Sequence, residues 1–432
     1  MRRICRTIAV LIYATLILCP RPAAAYSVLA HEAVVDSMWD DVVSRLLRQR
    51  FPGVSSAELE KARAFAYGGS LIQDLGYYPF GSRLFTNLTH YVRSGDFVEA
   101  LIRDAQDLND YAFALGALAH YASDNTGHSI AVNRAVPLVY PKIRRKVGDI
   151  ALYVDSPARH LMVEFAFDVL QVARGAYASQ EYRKRIGFEV AKPLLERAFH
   201  DTYALELKDI FRNVDLAIGT YRRAIGTTIP EMTRIAWTEK HDEIERMTPG
   251  VERGAFVFAL SGRDYDRQFG TEYYKPGPVA RFVTFLLKIV PKVGPFRALA
   301  FRPLTPEAER LFLESVTATR NRYRGELDAL GRGRLDLANS DFDTGERPAP
   351  GKNPLADDTY AELLQKLEDR KFADVSPELT RDINSHFAGT AVAASRSDRK
   401  TTKEEKGLRR RLAALNAAVP GRSSNVSQEL DR

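Results

Sequence analysis

Beyond position 19 the chain has no cysteine: its two, Cys5 and Cys19, both lie close to the N-terminus. No disulfide framework can hold the body together, which must rest on packing and on any metals it binds. Long apolar runs are missing too. Ile8 to Leu18 and Val279 to Val290 are both short against the roughly 20 residues a helical membrane span needs. The second reads as a core helix, with docking on a membrane surface as the alternative. No stretch alternates polar and apolar residues long enough for a sheet, and no internal repeat is visible. Even the net charge of +7 over 432 residues fades once it is located. Without residues 1–25 the chain holds 58 basic and 55 acidic residues, and the tail from Ala394 to Arg432 has ten basic against five acidic. The body between them is close to neutral, so composition supplies no basic face for nucleic acid.

What is present begins with a targeting signal. Arg2, Arg3 and Arg6 precede the apolar run, and Ala23-Ala24-Ala25 offers small residues for cleavage. The pattern predicts removal of residues 1–25, a mature chain starting at Tyr26, and a secreted or periplasmic protein. An uncleaved anchor is the bland alternative, and lipidation at Cys19 is disfavoured by the bulky Leu18 before it. With 45% hydrophobic and 27% charged residues there is ample material for a core. Helical spacing dominates, so the class is all-α. His31 to Phe51 is one amphipathic stretch, stopped by Pro52-Gly53, and Ser55 to Glu58 resembles a cap for a second that fades near Gly68-Gly69. Asp107 to Tyr121 is apolar nearly all round, as a central helix would be. Ser156-Pro157 opens a helix running to about Arg174, and further helical stretches run from Gln180 to about Ala224 and from Thr305 to about Leu330. Asp341 to Pro354 reads as a polar linker. Disorder is expected from 394 to 432, apart from a short helix around Leu408 to Leu415.

Histidine is scarce but unevenly placed: five of the eight precede position 161. His120, Asp124 and His128 are spaced four apart, so on a regular helix they fall in one narrow sector. Neutral imidazoles and a carboxylate suit Zn²⁺, although a His and an Asp one turn apart are also an ordinary hydrogen-bonded pair. His160 and Glu164 repeat the spacing. Asp74 follows a helix end, His90 closes Asn87-Leu88-Thr89-His90, and His31 opens the first mature helix. Alone, each is most simply a satisfied polar residue. Together, five His, two Asp and one Glu are enough for more than one zinc.

In this order the residues resemble the zinc-dependent phospholipase C and P1/S1 nuclease superfamily, an all-α fold with a buried multi-zinc site. The resemblance spans roughly residues 26–245. It implies that the free amine and carbonyl of Tyr26 chelate one zinc with His31, that Asp74, His90, His120 and Asp124 supply ligands with Asp124 bridging two metals, and that His128, His160 and Glu164 hold another. Asp74 is also assigned as the base that orients water. Ending the last pair in Glu looks like the phospholipase branch, whereas the spacing from Tyr26 to His31 looks like the nuclease branch. There are departures. His128 follows His120 by eight residues where secreted bacterial phospholipases usually show ten. Leu75 and Asn87 stand where choline-specific enzymes carry aromatics, which puts a choline preference in doubt; Tyr77, Tyr78 and Phe80 are candidates for a different aromatic wall.

The expectation is a secreted phosphodiesterase with two to three zinc ions that cleaves the glycerol-phosphate ester of a phospholipid by metal-bound hydroxide, with transient contact to a membrane surface. A single-strand nuclease needing an aromatic stacking platform is the second reading, and nucleic acid is a partner only under it. An inactive, zinc-stabilised binding protein is the third. No protein partner is implied. The expected organisation is a catalytic domain over 26–245, a helical extension over 246–340 packed on the core, and a linker with C-terminal helices over 341–393.

Overall fold

The computed structural model describes residues 28–173, 188–228, 301–388 and 399–419, with parts of 234–253. The signal segment, Tyr26 and the stretch from Val279 to Val290 lie outside them. Among the described residues the architecture is all-α, without strands, and no helix is long and apolar enough to cross a membrane.

The expected first helix is α1 (Val28–Met38) and α2 (Ser44–Arg50), joined by a π-helical turn at Trp39–Val43. Helix α3 (Ser56–Ile72) starts on a complete capping box, Ser55 and Glu58 each accepting from the other's backbone N–H. It does not fade at Gly68-Gly69. Those glycines instead let the helix press onto its neighbours: a Cβ on Gly69 would lie 1.8 Å from the Phe113 carbonyl oxygen. A tight 3₁₀ turn, Gln73–Tyr77, follows and carries Asp74.

After α4 (Arg83–Tyr91) and α5 (Ser94–Asp104) comes the centre of the fold, α6 (Leu108–Thr126). Asp107 caps it by accepting from Asn109 N–H and Asp110 N–H. Every residue from Tyr111 to Thr126 is buried, against α1, α3, α5 and a long later helix, Pro306–Gly331. Past Thr126 the winding loosens to a π-helical turn, Gly127–Val132. Helix α7 (Pro157–Ala173) brings in the second His/Glu pair.

The stretch expected as one helix up to Ala224 is described from residue 188 as α8 (Lys192–Tyr203), a short turn at Leu207–Ile210, and α9 (Val214–Arg223). Helix α10 (Pro306–Gly331) begins at its Thr305 cap and lies along α6, with Tyr323 Oη donating to the Leu115 carbonyl. Two stretches beyond α10 differ from what the sequence suggests. The supposed linker is anchored in the core near both ends, with Asp341, Phe342, Asp343 and Asn353 buried, while Glu346, Arg347, Gly351 and Lys352 are exposed. Its polar, Gly-rich composition encodes a tight turn: Asp341 accepts from the N–H groups of Asp343 and Thr344 and from Asn353 Nδ2. The tail also holds a 20-residue helix, α13 (Arg399–Ala418), which rests on α11 (Pro354–Asp369) and α12 (Pro377–Ala388) through a buried Leu415 and the pairing of Arg410 and Arg411 with Glu368.

Candidate metal centre

The last two turns of α6, the 3₁₀ turn after α3 and the end of α4 converge on one point in the core. There Asp74, His90, His120 and Asp124, all buried, present ligand atoms within 4.8 Å of one another. The backbone sets the direction of the rings. His90 Nδ1 lies 2.8 Å from the Thr86 carbonyl and His120 Nδ1 lies 2.9 Å from the Ser70 carbonyl. A carbonyl only accepts, so each Nδ1 carries the proton and each Nε2 turns its lone pair inward.

The separations across this group have a distinctive length. Nε2 of His90 is 3.4 Å from Asp74 Oδ1 and 3.3 Å from Asp124 Oδ2; Nε2 of His120 is 3.4 Å from Asp124 Oδ2 and 3.5 Å from His90 Nε2. Neither Asp124 oxygen, nor Asp74 Oδ1, makes a hydrogen bond. Ligands bonded at about 2.0–2.1 Å to one tetrahedral zinc stand about 3.3 Å apart, which is the edge of that tetrahedron. The group therefore fits a divalent cation better than it fits a hydrogen-bonded network.

Asp124 also faces a second way. Its Oδ1 lies 3.4 Å from Nε2 of His31, whose ring stacks on His120 at 4.5 Å between centroids. One carboxylate thus addresses two nitrogen sets, as a bridging ligand would.

His128 does not join this stripe. The π-helical turn rotates it away from His120 and Asp124, and it meets His160 and Glu164 of α7 instead, in a second buried group of three within 4.8 Å. His160 Nε2 donates to the Ala151 carbonyl at 2.9 Å, which leaves Nδ1 for a ligand. That Nδ1 and both oxygens of Glu164 make no hydrogen bond despite complete burial. Such groups are costly in a dry interior unless a cation faces them.

The electrostatics point the same way. Burial, with help from His120, pushes His31 down to about 3. Burial takes His128 to about 4, and burial with His128 takes His160 to about 3, so three imidazoles are neutral and able to bind metal. At His90 burial is outweighed by Asp124 and Asp74, which raise it to about 9. Burial works to raise Asp124, but His120 and its other imidazole neighbours hold it well below the usual carboxylate range. Burial and the charges of Asp124 and Asp74 push Glu164 well above that range. A divalent cation reverses this last shift, because its charge favours the carboxylate form.

The proposed aromatic wall divides. Tyr77 is buried, edge-on to His90 at 6.1 Å and 6.3 Å from Tyr153, whose ring meets His160 at 5.8 Å. The Tyr77–Tyr153 pair thus spans the space between the two groups. Tyr78 is half-buried and packs on Tyr221 at 4.0 Å, while Phe80 is exposed and takes a left-handed φ of 66°. Sequence reasoning missed Tyr153 and Asp343. Asp343 lies in a turn where no periodicity marks it. Phe342 beside it covers the first group, 5.2 Å from the His90 ring and 6.1 Å from that of His120.

A family model described as zinc dependent phospholipase C matches residues 30–213. The matched span includes all eight His, Asp and Glu residues of the site from His31 to Glu164, and leaves out Tyr26 and Asp343. No curated protein and no solved structure matches the chain.

Proposed function

We propose, from the premise that residues 30–213 belong to the zinc-dependent phospholipase C family, that this chain is a zinc-dependent phosphodiesterase cleaving the glycerol-phosphate ester of a phospholipid. The observation that carries the reading is the set of 3.3 to 3.5 Å separations among His90, His120, Asp74 and Asp124, the spacing of ligands around one zinc. Two or three ions are proposed. His120, His90, Asp74 and Asp124 hold one, and His128, His160 and Glu164 hold another. A third belongs to His31 and Asp124, completed by the amine and carbonyl of Tyr26 when the mature chain begins there.

Bound zinc supplies a nucleophile at neutral pH and charge stabilisation for a phosphoryl group. The protein's own part is placement. Backbone carbonyls at Ser70, Thr86 and Ala151 fix the rings. Asp74, in the 3₁₀ turn after α3, is the residue proposed to orient the attacking water. Tyr77 and Tyr153, between the groups, are proposed to bound the space that receives the phosphodiester. Export through the N-terminal signal places the enzyme outside the cytoplasm, and its lipid substrate implies transient contact with a membrane surface.

A single-strand nuclease is the second reading, favoured by the five-residue interval from Tyr26 to His31. The near-neutral body speaks against it. Phospholipid vesicles and single-stranded DNA offered to the same zinc-loaded preparation separate the two. The proposal expects phosphorylated head group in solution and intact DNA; digested DNA with intact lipid would reverse the order of the readings.

A further inference from the structure

Asp343 lies far beyond the family match, yet its side chain is buried against the second group. Its two oxygens have different surroundings. Oδ2 accepts from the Tyr153 backbone N–H at 2.9 Å, while Oδ1 makes no hydrogen bond and lies 3.6 Å from His128 Nδ1. That nitrogen is itself buried without a hydrogen bond. Asp341, two residues earlier, is not a rival for the position, because both its oxygens are taken up in holding the turn.

The turn is also fastened to the elements that carry the metal residues. Phe342 N–H donates to the carbonyl of His90 at 3.0 Å, and Asn133 Nδ2 donates to the carbonyl of Asp343 at 2.6 Å. Gly345, with a φ of +74°, sits so close to the backbone leading to His128 that a Cβ there would come within 2.9 Å of the Asn125 carbonyl oxygen. A carboxylate delivered this firmly into a dry interior, with one oxygen unengaged, stays ionised only where positive charge lies nearby.

We propose that Asp343 is the carboxylate partner of His128 in the second metal group and sets that group's affinity for zinc. The inference rests on the zinc reading given above and deepens it: part of the metal site comes from outside the family segment. Asp343 is a positioning residue. Facing Nδ1–H of His128, its carboxylate orients the imidazole and makes the opposite nitrogen a stronger ligand, the arrangement found behind many zinc-bound histidines.

Asp343→Asn keeps the shape and the acceptor for Tyr153 N–H but removes the charge; Asp343→Ala removes both. In the full chain, zinc per molecule, zinc loss to a chelator and the visible spectrum of the Co²⁺-substituted protein are measured, with urea unfolding of the metal-free form beside them. The expected result for Asp343→Asn is zinc affinity about 10- to 100-fold weaker at one site, an altered Co²⁺ band, and an unfolding midpoint near that of the parent. Parental zinc retention and an unchanged Co²⁺ spectrum in both variants would overturn the proposal. So would a loss of metal-free stability with no change in metal binding, since that is a purely structural role. A parent chain that holds no zinc would overturn the reading beneath it.

Discussion

Asp124 is the residue on which the site turns. Fully buried, it meets His90 and His120 with one oxygen and His31 with the other, so removing any of these partners strips a neighbour from a charge that cannot reach water. His120→Ala should therefore cost at least one zinc per chain and lower phosphodiester turnover by about 100-fold or more, beyond what loss of an outer partner gives. Elemental analysis and turnover on one preparation check this; full zinc and full turnover together would remove α6 from the mechanism. The titrating groups predict a second effect. Before metal binds, His90 is raised to about 9 and Glu164 sits well above its usual range, so both are protonated at neutral pH. Zinc must displace those protons, so its affinity should rise with pH, up to the point where His90 is already deprotonated. Calorimetry of zinc binding in buffers of different ionisation enthalpy should show release of at least one proton. Heats independent of buffer would contradict it.

At the scale of the helix, four-residue spacing made the pairs His120/Asp124 and His160/Glu164 legible, because one turn of α-helix puts both side chains on one face. The same rule failed for His128. A π-helical turn leaves no mark in the spacing of side-chain types, so spacing alone puts His128 in the first stripe, while the resemblance groups it with His160 and Glu164, where the structure has it. Glycine was misread for a related reason. Gly68-Gly69 looks like a helix end, but in α3 it is a contact face, and its counterpart on α6 is Gly116, where a Cβ would lie 1.9 Å from the Ala66 carbonyl oxygen. Gly116→Ala should destabilise the protein toward the upper end of the roughly 1–3 kcal/mol typical of overpacking. Gly325→Ala on α10, with open space around it, should stabilise by about 0.4–1 kcal/mol. Urea unfolding of the two variants beside the parent is the check, and equal midpoints would refute the close approach of α3 and α6.

For the molecule as a whole, the sequence carried the all-α class and the residues of both candidate metal groups, since these depend on local spacing and on side-chain chemistry. It did not carry closure of the site. Residues 334–347 leave α10, cross the fold and set Phe342 against His90 and His120, an arrangement fixed by long-range contacts such as Tyr121 Oη to the Ala338 carbonyl and Ser94 Oγ to the Ser340 carbonyl. Contacts of that kind leave no local pattern in sequence. Two buried groups separated by the Tyr77–Tyr153 pair are proposed as zinc sites. Zinc per chain, measured by elemental analysis on the purified full-length protein after exhaustive dialysis, tests that claim most directly: two or three tightly held ions are predicted, and fewer than two would contradict it.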